Sequence, residues 1–151
     1  MAKFRYSLQS ILDIKLKMET QAKQAFAAAK SALDDEEDAL RQLFERKRGY
    51  EEKAKALLSG SLNVREIEDN KNALLVLDGY IAEQKQRVAL AEKRLEKARM
   101  ELTEVMMERK THETLKEQAF QAFLQEENKA ESKTVDELVS YTYGQKRQVK
   151  K

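Results

Sequence analysis

The chain of 151 residues contains no proline, no cysteine and no tryptophan, and it has only four glycines. At average usage, a chain of this length would carry roughly seven prolines. Because proline removes a backbone donor and clashes with the preceding helical turn, its complete absence favours helices that continue over long distances. The lack of cysteine excludes disulfides and thiolate metal sites, and it fits a reducing compartment.

Long apolar runs and an excess of one charge are also missing. No stretch approaches the roughly 18 apolar residues of a membrane span, and the first residues are not followed by a signal-peptide core. These absences predict a cytoplasmic protein with no direct membrane insertion. The 29 basic and 27 acidic side chains leave a net charge of +2, and their signs are interleaved. We therefore expect no nucleic-acid partner, since a helical arm that grips RNA would need a one-sided basic stripe.

Charged residues make up 37% of the chain and aromatic residues 7%, which is typical of a long helix or coiled coil. In the second half of the chain, apolar residues repeat every seven positions. One set of seam positions holds Ile67, Leu74, Ile81, Val88, Leu95 and Leu102, and the other holds Asn70, Leu77, Gln84, Ala91, Ala98 and Val105. A sustained heptad of this kind predicts a coiled coil.

The first half carries a matching but less regular apolar stripe. It consists of Ile11, Ile14, Met18, Ala22, Ala25, Ala29, Leu33, Leu40, Leu43, Tyr50, Ala54 and Leu57. If the chain folds back at residues 59–63, Ala29 comes to lie opposite Leu95 and the two stripes stay in register. Gly60 can end the first helix, and Asn63 with Glu66 has the spacing of a capping box that starts the second.

These patterns predict an all-α fold, a two-helix antiparallel coiled-coil hairpin with a C-terminal helical overhang, in a single domain of residues 1–151. The predicted bounds are a helix over about 5–58, a turn over 59–63, a helix over about 64–143 and a basic tail over 144–151. The acidic run 34–38 would face Lys85 and Arg87, although a solvated helix face also explains it. The same heptads could instead pair between chains, in a structural homodimer or a filament.

The chemistry of an enzyme is missing from the sequence. There is no glycine-rich phosphate loop, no Ser/His/Asp set and no Cys/His pair. The single histidine, His112, would need a second metal ligand about one helical turn away, where only Glu108 could serve. A buried or boundary histidine is the simpler interpretation. We expect no catalytic residue, no metal and no cofactor.

The predicted register places Phe4 opposite Phe120, after which the first helix runs out. Everything beyond roughly Leu124, here called the overhang, therefore has no partner within the hairpin. Its apolar face consists of Val135, Leu138, Val139 and Thr142. This face could await a partner, fold back on the hairpin or fray. Thr134 and Glu137 could also begin a separate helix, or the second helix could simply continue. Basic residues at 146, 147, 150 and 151 form the predicted tail.

The opening segment reads Phe4-Arg5-Tyr6-x-Leu8-x-Ser10-Ile11-Leu12-x-Ile14-Lys15, followed by Glu19 and Ala22. It resembles the start of the flagellar FliJ family. The resemblance extends to the total length, an early alanine-rich helix, a turn near residue 60 and a basic end. Near the turn, the family's aromatic, aliphatic, Leu and Ile pattern is similar to Ala73, Leu74, Leu77 and Ile81, but the aromatic residue is absent at Ala73.

This resemblance implies a component of the flagellar type III export apparatus, a hairpin similar to the central stalk of rotary ATPases. Family members associate with the hexameric flagellar export ATPase, contact the membrane export gate protein and handle flagellar export chaperones. The resemblance therefore implies a cytoplasmic protein that associates peripherally with the cytoplasmic face of the membrane through the export apparatus. About 50 paired residues at 1.5 Å each would give a rod of roughly 75 Å, able to link two distant partners.

We expect two partner-binding ends. The ATPase end would comprise Phe4, Tyr6, Phe120, Phe123, Val135, Leu138 and Val139. The turn end, which would bind the gate or chaperones, would comprise Leu62, Leu74, Leu75, Leu77 and Tyr80. Ordinary seam positions also explain many of these residues, Leu74 above all. The sequence leaves open which end meets which partner, which chaperones bind and whether the ATPase is stimulated.

Overall fold

The computed structural model describes residues 2–149, with side chains through residue 145. These residues form helix α1, Gln9–Leu57, and helix α2, Val64–Val149, joined by a short turn. The helices pack antiparallel, and no strand occurs within the part of the chain that is described. The predicted all-α hairpin is therefore confirmed. The basic side chains predicted at 146, 147, 150 and 151 lie outside the described side chains.

Both helices differ from their predicted bounds at the ends away from the turn. Helix α1 begins at Gln9 rather than near residue 5, and α2 continues through Gly144, where the tail was predicted to start. Gly144 does not adopt the left-handed conformation that ends a helix, so α2 runs through it at a cost of about 1 kcal/mol relative to alanine. Thr134 does not begin a new helix. Its hydroxyl donates to the carbonyl of Ala130 at 2.9 Å, within α2.

The turn forms with the residues that the sequence indicates. The amide of Ser59 donates to the carbonyl of Ala56 at 3.3 Å, which closes the last turn of α1. Gly60 follows with a φ of 101°, a left-handed conformation that glycine adopts without strain. The side-chain oxygen of Asn63 accepts from the amide of Glu66 at 3.3 Å and thereby caps the start of α2.

The chain divides into two compact units. Unit 1 comprises Met1–Glu19 with Val105–Lys151, and unit 2 comprises Thr20–Glu104. Each unit contains a stretch of both helices. That all residues belong to one domain stays a prediction.

Unit 2 follows the predicted seam closely. Every predicted α2 position from 67 to 102 is buried or half-buried, and so is every predicted α1 position from 22 to 57 except Ala25, which is exposed. Phe26 takes the place of Ala25 because the seam keeps a regular alternation of three and four residues. Asn70 and Gln84 are buried seam residues: Asn70 donates to the carbonyl of Tyr50 at 3.2 Å.

The acidic run lies near Arg87, as predicted, since Glu36 and Arg87 line the same cavity. Glu36 accepts a hydrogen bond from Gln84. Arg87 also lies 3.6 Å from Glu83 on its own helix. An ion pair that crosses the seam joins Lys47 to Asp78 at 2.9 Å, and this hydrogen bond raises the pKa of Lys47 above its ordinary value. The register therefore depends on the seam side chains more than on the acidic run.

Candidate partner-binding surfaces

The seam of unit 1 is polar, and the predicted apolar stripe is wrong there. Ile11, Ile14 and Met18 are exposed, Ile14 at 55%, whereas Leu12 is buried. The seam positions next to Leu12 are filled by Lys15 and Glu19. A continuous helix can keep its alternation of three and four residues only by placing these residues in the seam. Ile11, Ile14 and Met18 each lie one position before one of these seam residues, so their side chains face outward.

Ion pairs make this polar seam possible. The ammonium of Lys15 lies 2.8 Å from the carboxylate of Glu108. Glu19, only 7% exposed, accepts a hydrogen bond from the guanidinium of Arg109, which also lies 2.8 Å from Glu113. The hydrogen bond to Glu19 is the main cause that raises the pKa of Arg109. Burying a charge is costly unless it is paired, so these partners are what allow charged residues to occupy the seam.

Aromatic residues hold the first residues of the chain against α2. The ring centroid of Phe4 lies 5.1 Å from that of Phe120 and 5.4 Å from that of Phe123, in edge and tilted arrangements. The predicted pairing of Phe4 with Phe120 is thus confirmed. All three rings are half-buried, and the hydroxyl of Tyr6 is buried without a hydrogen-bond partner. These four residues, the aromatic cluster, pack within unit 1 and fasten the start of the chain to α2.

The overhang leaves its apolar face uncovered. Val135, Leu138 and Val139 are all exposed, Leu138 at 60%. The alternative in which this face folds back on the hairpin is wrong, because α2 continues as one helix. Tyr141 and Tyr143 are also exposed here. Sequence reasoning missed these two tyrosines, although they follow Leu138 and Val139 by three and four residues.

At the turn, the structure separates the predicted residues into two groups. Leu62, Leu75 and Tyr80 are exposed, Leu75 at 62%. Leu74 is half-buried and Leu77 is only 5% exposed, so these two belong to the seam. The exposed apolar residues that sequence reasoning missed are Leu58, Val64 and Val76. Together with Leu62, Leu75 and Tyr80 they form what we call the turn surface.

A cavity of about 240 Å³ opens beside this turn surface. Its lining residues are Ala54, Leu57, Leu58, Ile67, Asn70, Lys71 and Leu74. The lining is mostly aliphatic, and the charge is supplied by a single lysine, Lys71. The cavity is large enough to receive an apolar side chain of another protein.

His112 is half-buried beside the polar seam of unit 1, and its Nδ1 atom is buried without a hydrogen-bond partner. The boundary position expected from the sequence is confirmed. Glu108, which was considered as a second metal ligand, instead binds Lys15. Among residues 2–149, no group of three or more histidine or acidic side chains is arranged to hold a metal ion.

Both helices are too polar to be membrane spans. Neither of them, over the described residues, contains a segment long and apolar enough to cross a bilayer.

The family model described as "Flagellar FliJ protein" matches residues 4–148 of this chain. The chain belongs to the flagellar FliJ family. Proteins of this family are non-catalytic coiled-coil components of the type III export apparatus, and this chain is such a component. The resemblance read from the opening segment is therefore confirmed over nearly the whole sequence.

Among solved structures, the chain is similar to CT670 from Chlamydia trachomatis, which is described as a proposed YscO homolog. The sequences are 24% identical, the TM-score is 0.69, and the match covers 97% of this chain and 99% of that one. A likeness at this identity supports the fold alone, here the long helical hairpin of this FliJ-family chain. No curated protein is significantly similar to the chain.

Proposed function

We propose that this FliJ-family chain is a stalk-like link between the flagellar export ATPase and the membrane export gate, and that it also handles export chaperones. The observation that carries this proposal is that each unit has its own exposed apolar surface, the overhang face in unit 1 and the turn surface in unit 2. A chain with two separate surfaces can hold two partners at once. It would then lie at the cytoplasmic face of the membrane, attached through the export apparatus.

The overhang face is assigned to the ATPase. Val135, Leu138 and Val139 form an apolar stripe that no residue of α1 covers, and such a stripe favours burial against another protein. The aromatic cluster of Phe4, Tyr6, Phe120 and Phe123 supports this end from within. Its packing fixes the position at which the uncovered part of α2 begins.

The turn surface is assigned to the export gate and the chaperones. Leu62, Leu75 and Tyr80 offer exposed apolar groups, and the neighbouring cavity can accept an anchoring side chain, a common feature of interface hot spots. Leu74 lines this cavity from the seam. Leu77 contributes indirectly, since it holds the two helices together beneath the surface.

A structural homodimer or filament built on the heptads is less well supported. Contacts such as those of Asn70 with Tyr50 and Phe4 with Phe120 use the seam within one chain. These seam positions are occupied by contacts within one chain, so they are not available for pairing between chains.

Binding measurements on the purified chain test the assignment of the two surfaces. An overhang variant, Leu138→Asp with Val139→Asp, should weaken binding to the export ATPase, since an unpaired charge in an interface is costly. A turn variant, Leu75→Asp with Tyr80→Ala, should spare the ATPase and weaken binding to the gate or the chaperones. Met100→Asp, at an exposed position outside both surfaces, is the matched control.

Thermal unfolding of each variant shows whether the fold survives. An overhang variant that folds normally and still binds the ATPase as tightly as the parent would contradict the assignment of this end. If the turn variant no longer binds the ATPase and the overhang variant no longer binds the gate, the partners of the two ends are the reverse of those assigned.

A further inference from the structure

The start of the chain packs on α2 without being part of either helix. Residues 2–8 precede α1, which begins at Gln9, and they form no helix or strand. The ring of Phe4 contacts α2, since its centroid lies 5.1 Å from that of Phe120 and 5.4 Å from that of Phe123. We call residues 2–8 the N-terminal strap, because they cover this part of α2.

Hydrogen bonds tie the strap to α1 and not to α2. The amide of Gln9 donates to the carbonyl of Tyr6 at 3.1 Å, and the amide of Leu12 donates to the carbonyl of Leu8 at 3.1 Å. Within residues 2–149, no hydrogen bond or ion pair joins the strap to α2. The strap can therefore separate from α2 by giving up apolar contacts alone, and segments with few such contacts open at a low free-energy cost.

The hydroxyl of Tyr6 opposes the closed position of the strap. It is buried and has no hydrogen-bond partner. A buried hydroxyl without a partner has lost its hydrogen bonds to water and gained none in return, which costs free energy. When the strap opens, this hydroxyl returns to water. The closed strap is thus held by ring packing and weakened by one unsatisfied polar group.

The face of α2 beneath the strap continues into the overhang face. Phe120 and Leu138 are separated by 18 positions, about five helical turns, so they lie on the same side of α2. Phe123 and the exposed Tyr141 are related in the same way. The strap therefore covers one part of a longer face, and the overhang leaves the other part uncovered.

The chemistry of this longer face indicates what its partner presents. The strap itself shows that Phe120 and Phe123 accept an aromatic ring, in edge and tilted arrangements. Glu127 and Glu131 lie on the same side of α2, between the covered and the uncovered part. A segment that occupies the whole face would carry an aromatic side chain for the two phenylalanines and a basic side chain for the two carboxylates.

We propose that the N-terminal strap is a detachable cover, which the partner of the overhang displaces with an aromatic and basic segment of its own. Release of the strap adds Phe120 and Phe123 to the overhang face. The inference rests on the proposed function, because the export ATPase is the partner assigned to this end. Since the full face exists only in the open state, the strap lowers the apparent affinity by the fraction of chains that are open.

Cysteine labelling tests the opening of the strap without any partner, in a chain that has no native cysteine. The label is placed by Ala119→Cys, next to Phe120 at a half-buried position. Adding Phe4→Ala removes two ring contacts and should raise the maleimide labelling rate at least about threefold. Adding Tyr6→Phe removes the unsatisfied hydroxyl and should lower the rate. Ser7→Ala, at an exposed position of the strap, should leave it unchanged.

Binding to the purified export ATPase tests the regulation, with the same strap substitutions in the parent chain. Phe4→Ala should bind more tightly than the parent, because more chains are open. Tyr6→Phe should bind more weakly, and Ser7→Ala should bind like the parent. An aromatic cluster that only supports the fold would give the reverse result for Phe4→Ala. Glu131→Lys should weaken binding, since it reverses a charge that faces the basic segment. Circular dichroism of every variant establishes that the helices are intact.

The overhang variant, Leu138→Asp with Val139→Asp, separates this proposal from the proposed function. If that variant binds the ATPase as tightly as the parent, the assignment of the overhang is wrong, and the role of the strap is wrong with it. If that variant binds weakly but Phe4→Ala binds no more tightly than the parent, the strap proposal alone is overturned. It is also overturned if Phe4→Ala does not speed labelling at Ala119→Cys, or if Tyr6→Phe strengthens binding. Unchanged binding of Glu131→Lys would overturn the basic segment.

Discussion

Units 1 and 2 use the same two helices but fill the seam between them with different chemistry. Unit 2 buries the apolar residues Leu77 and Ile81 together with small alanines. Unit 1 places Lys15, Glu19 and Arg109 there as ion pairs. The same helix packing can thus hold either apolar residues or paired charges in the seam. Where charges fill the seam, neighbouring apolar residues lie on the outer surface instead.

Apolar burial directly stabilises unit 2, since burying a large aliphatic side chain is worth about 1.5 to 3 kcal/mol. In unit 1 the ion pairs contribute less, because removing charges from water offsets much of their attraction. With these charged residues in the seam, Ile11, Ile14 and Met18 lie on the outer surface of α1. Unit 1 therefore combines a charged seam with exposed apolar residues on α1 and on the overhang.

The largest expected effect comes from removing apolar burial in unit 2. Leu77→Ala should lower the free energy of unfolding by about 2 to 5 kcal/mol, the usual range for a buried leucine. Leu75→Ala, two residues away but exposed, should change it by less than about 0.5 kcal/mol. Denaturant unfolding followed by circular dichroism measures both. Equal effects at the two positions would mean that the seam of unit 2 is misplaced.

A smaller effect is expected from breaking the ion pair of unit 1. Arg109→Met removes the guanidinium that donates to the buried carboxylate of Glu19 and should lower the unfolding midpoint. Replacing both residues, Arg109→Met with Glu19→Leu, should restore most of the loss, because a buried pair can often be replaced by apolar residues of similar size. If the double variant is less stable than Arg109→Met alone, the charges contribute more to unit 1 than apolar contacts could.

The contrast between the units also explains how far the sequence could predict the fold. From Ala22 to Leu102 most seam positions hold apolar residues at heptad spacing, so the seam, except at Ala25, can be derived from the pattern alone. Before Ala22, two sets compete: Ile11, Ile14 and Met18 against Leu12, Lys15 and Glu19. Hydrophobicity favours the first set. The alternation of three and four residues, continued backwards from Ala22, selects the second set. The charges opposite, on α2, then pair with Lys15 and Glu19.

The candidate surfaces were predictable to different degrees. The overhang face could be recognised because the hairpin offers no residue opposite Leu138. The exposed residues Ile11, Ile14 and Met18 were missed as a surface because they were counted as seam. Gly144 was expected to end α2, but a glycine ends a helix only when it adopts a left-handed conformation, and composition alone does not determine that.

A stability effect of at most about 1 kcal/mol is expected from Gly144→Ala, because alanine is the better helix former. Apart from its chain neighbours and the backbone of its own helix, no described atom lies within 4 Å of the position where the new methyl group would be placed. The substitution should slow amide hydrogen exchange in the overhang and leave exchange in unit 2 unchanged. Faster exchange around residue 144 would indicate that α2 ends there.

In unit 1, Lys15 and Glu19 occupy the seam as ion pairs, and the apolar residues Ile11, Ile14 and Met18 face outward. Cysteine labelling measures this arrangement directly in a chain without native cysteines. Ile14→Cys should react with a maleimide nearly as fast as a cysteine in the unfolded chain, and Leu12→Cys should be strongly protected. Protection of Ile14→Cys together with rapid labelling of Leu12→Cys would show that Ile14 lies in the seam and Leu12 outside it. That result would contradict this arrangement and restore the register that hydrophobicity alone predicts.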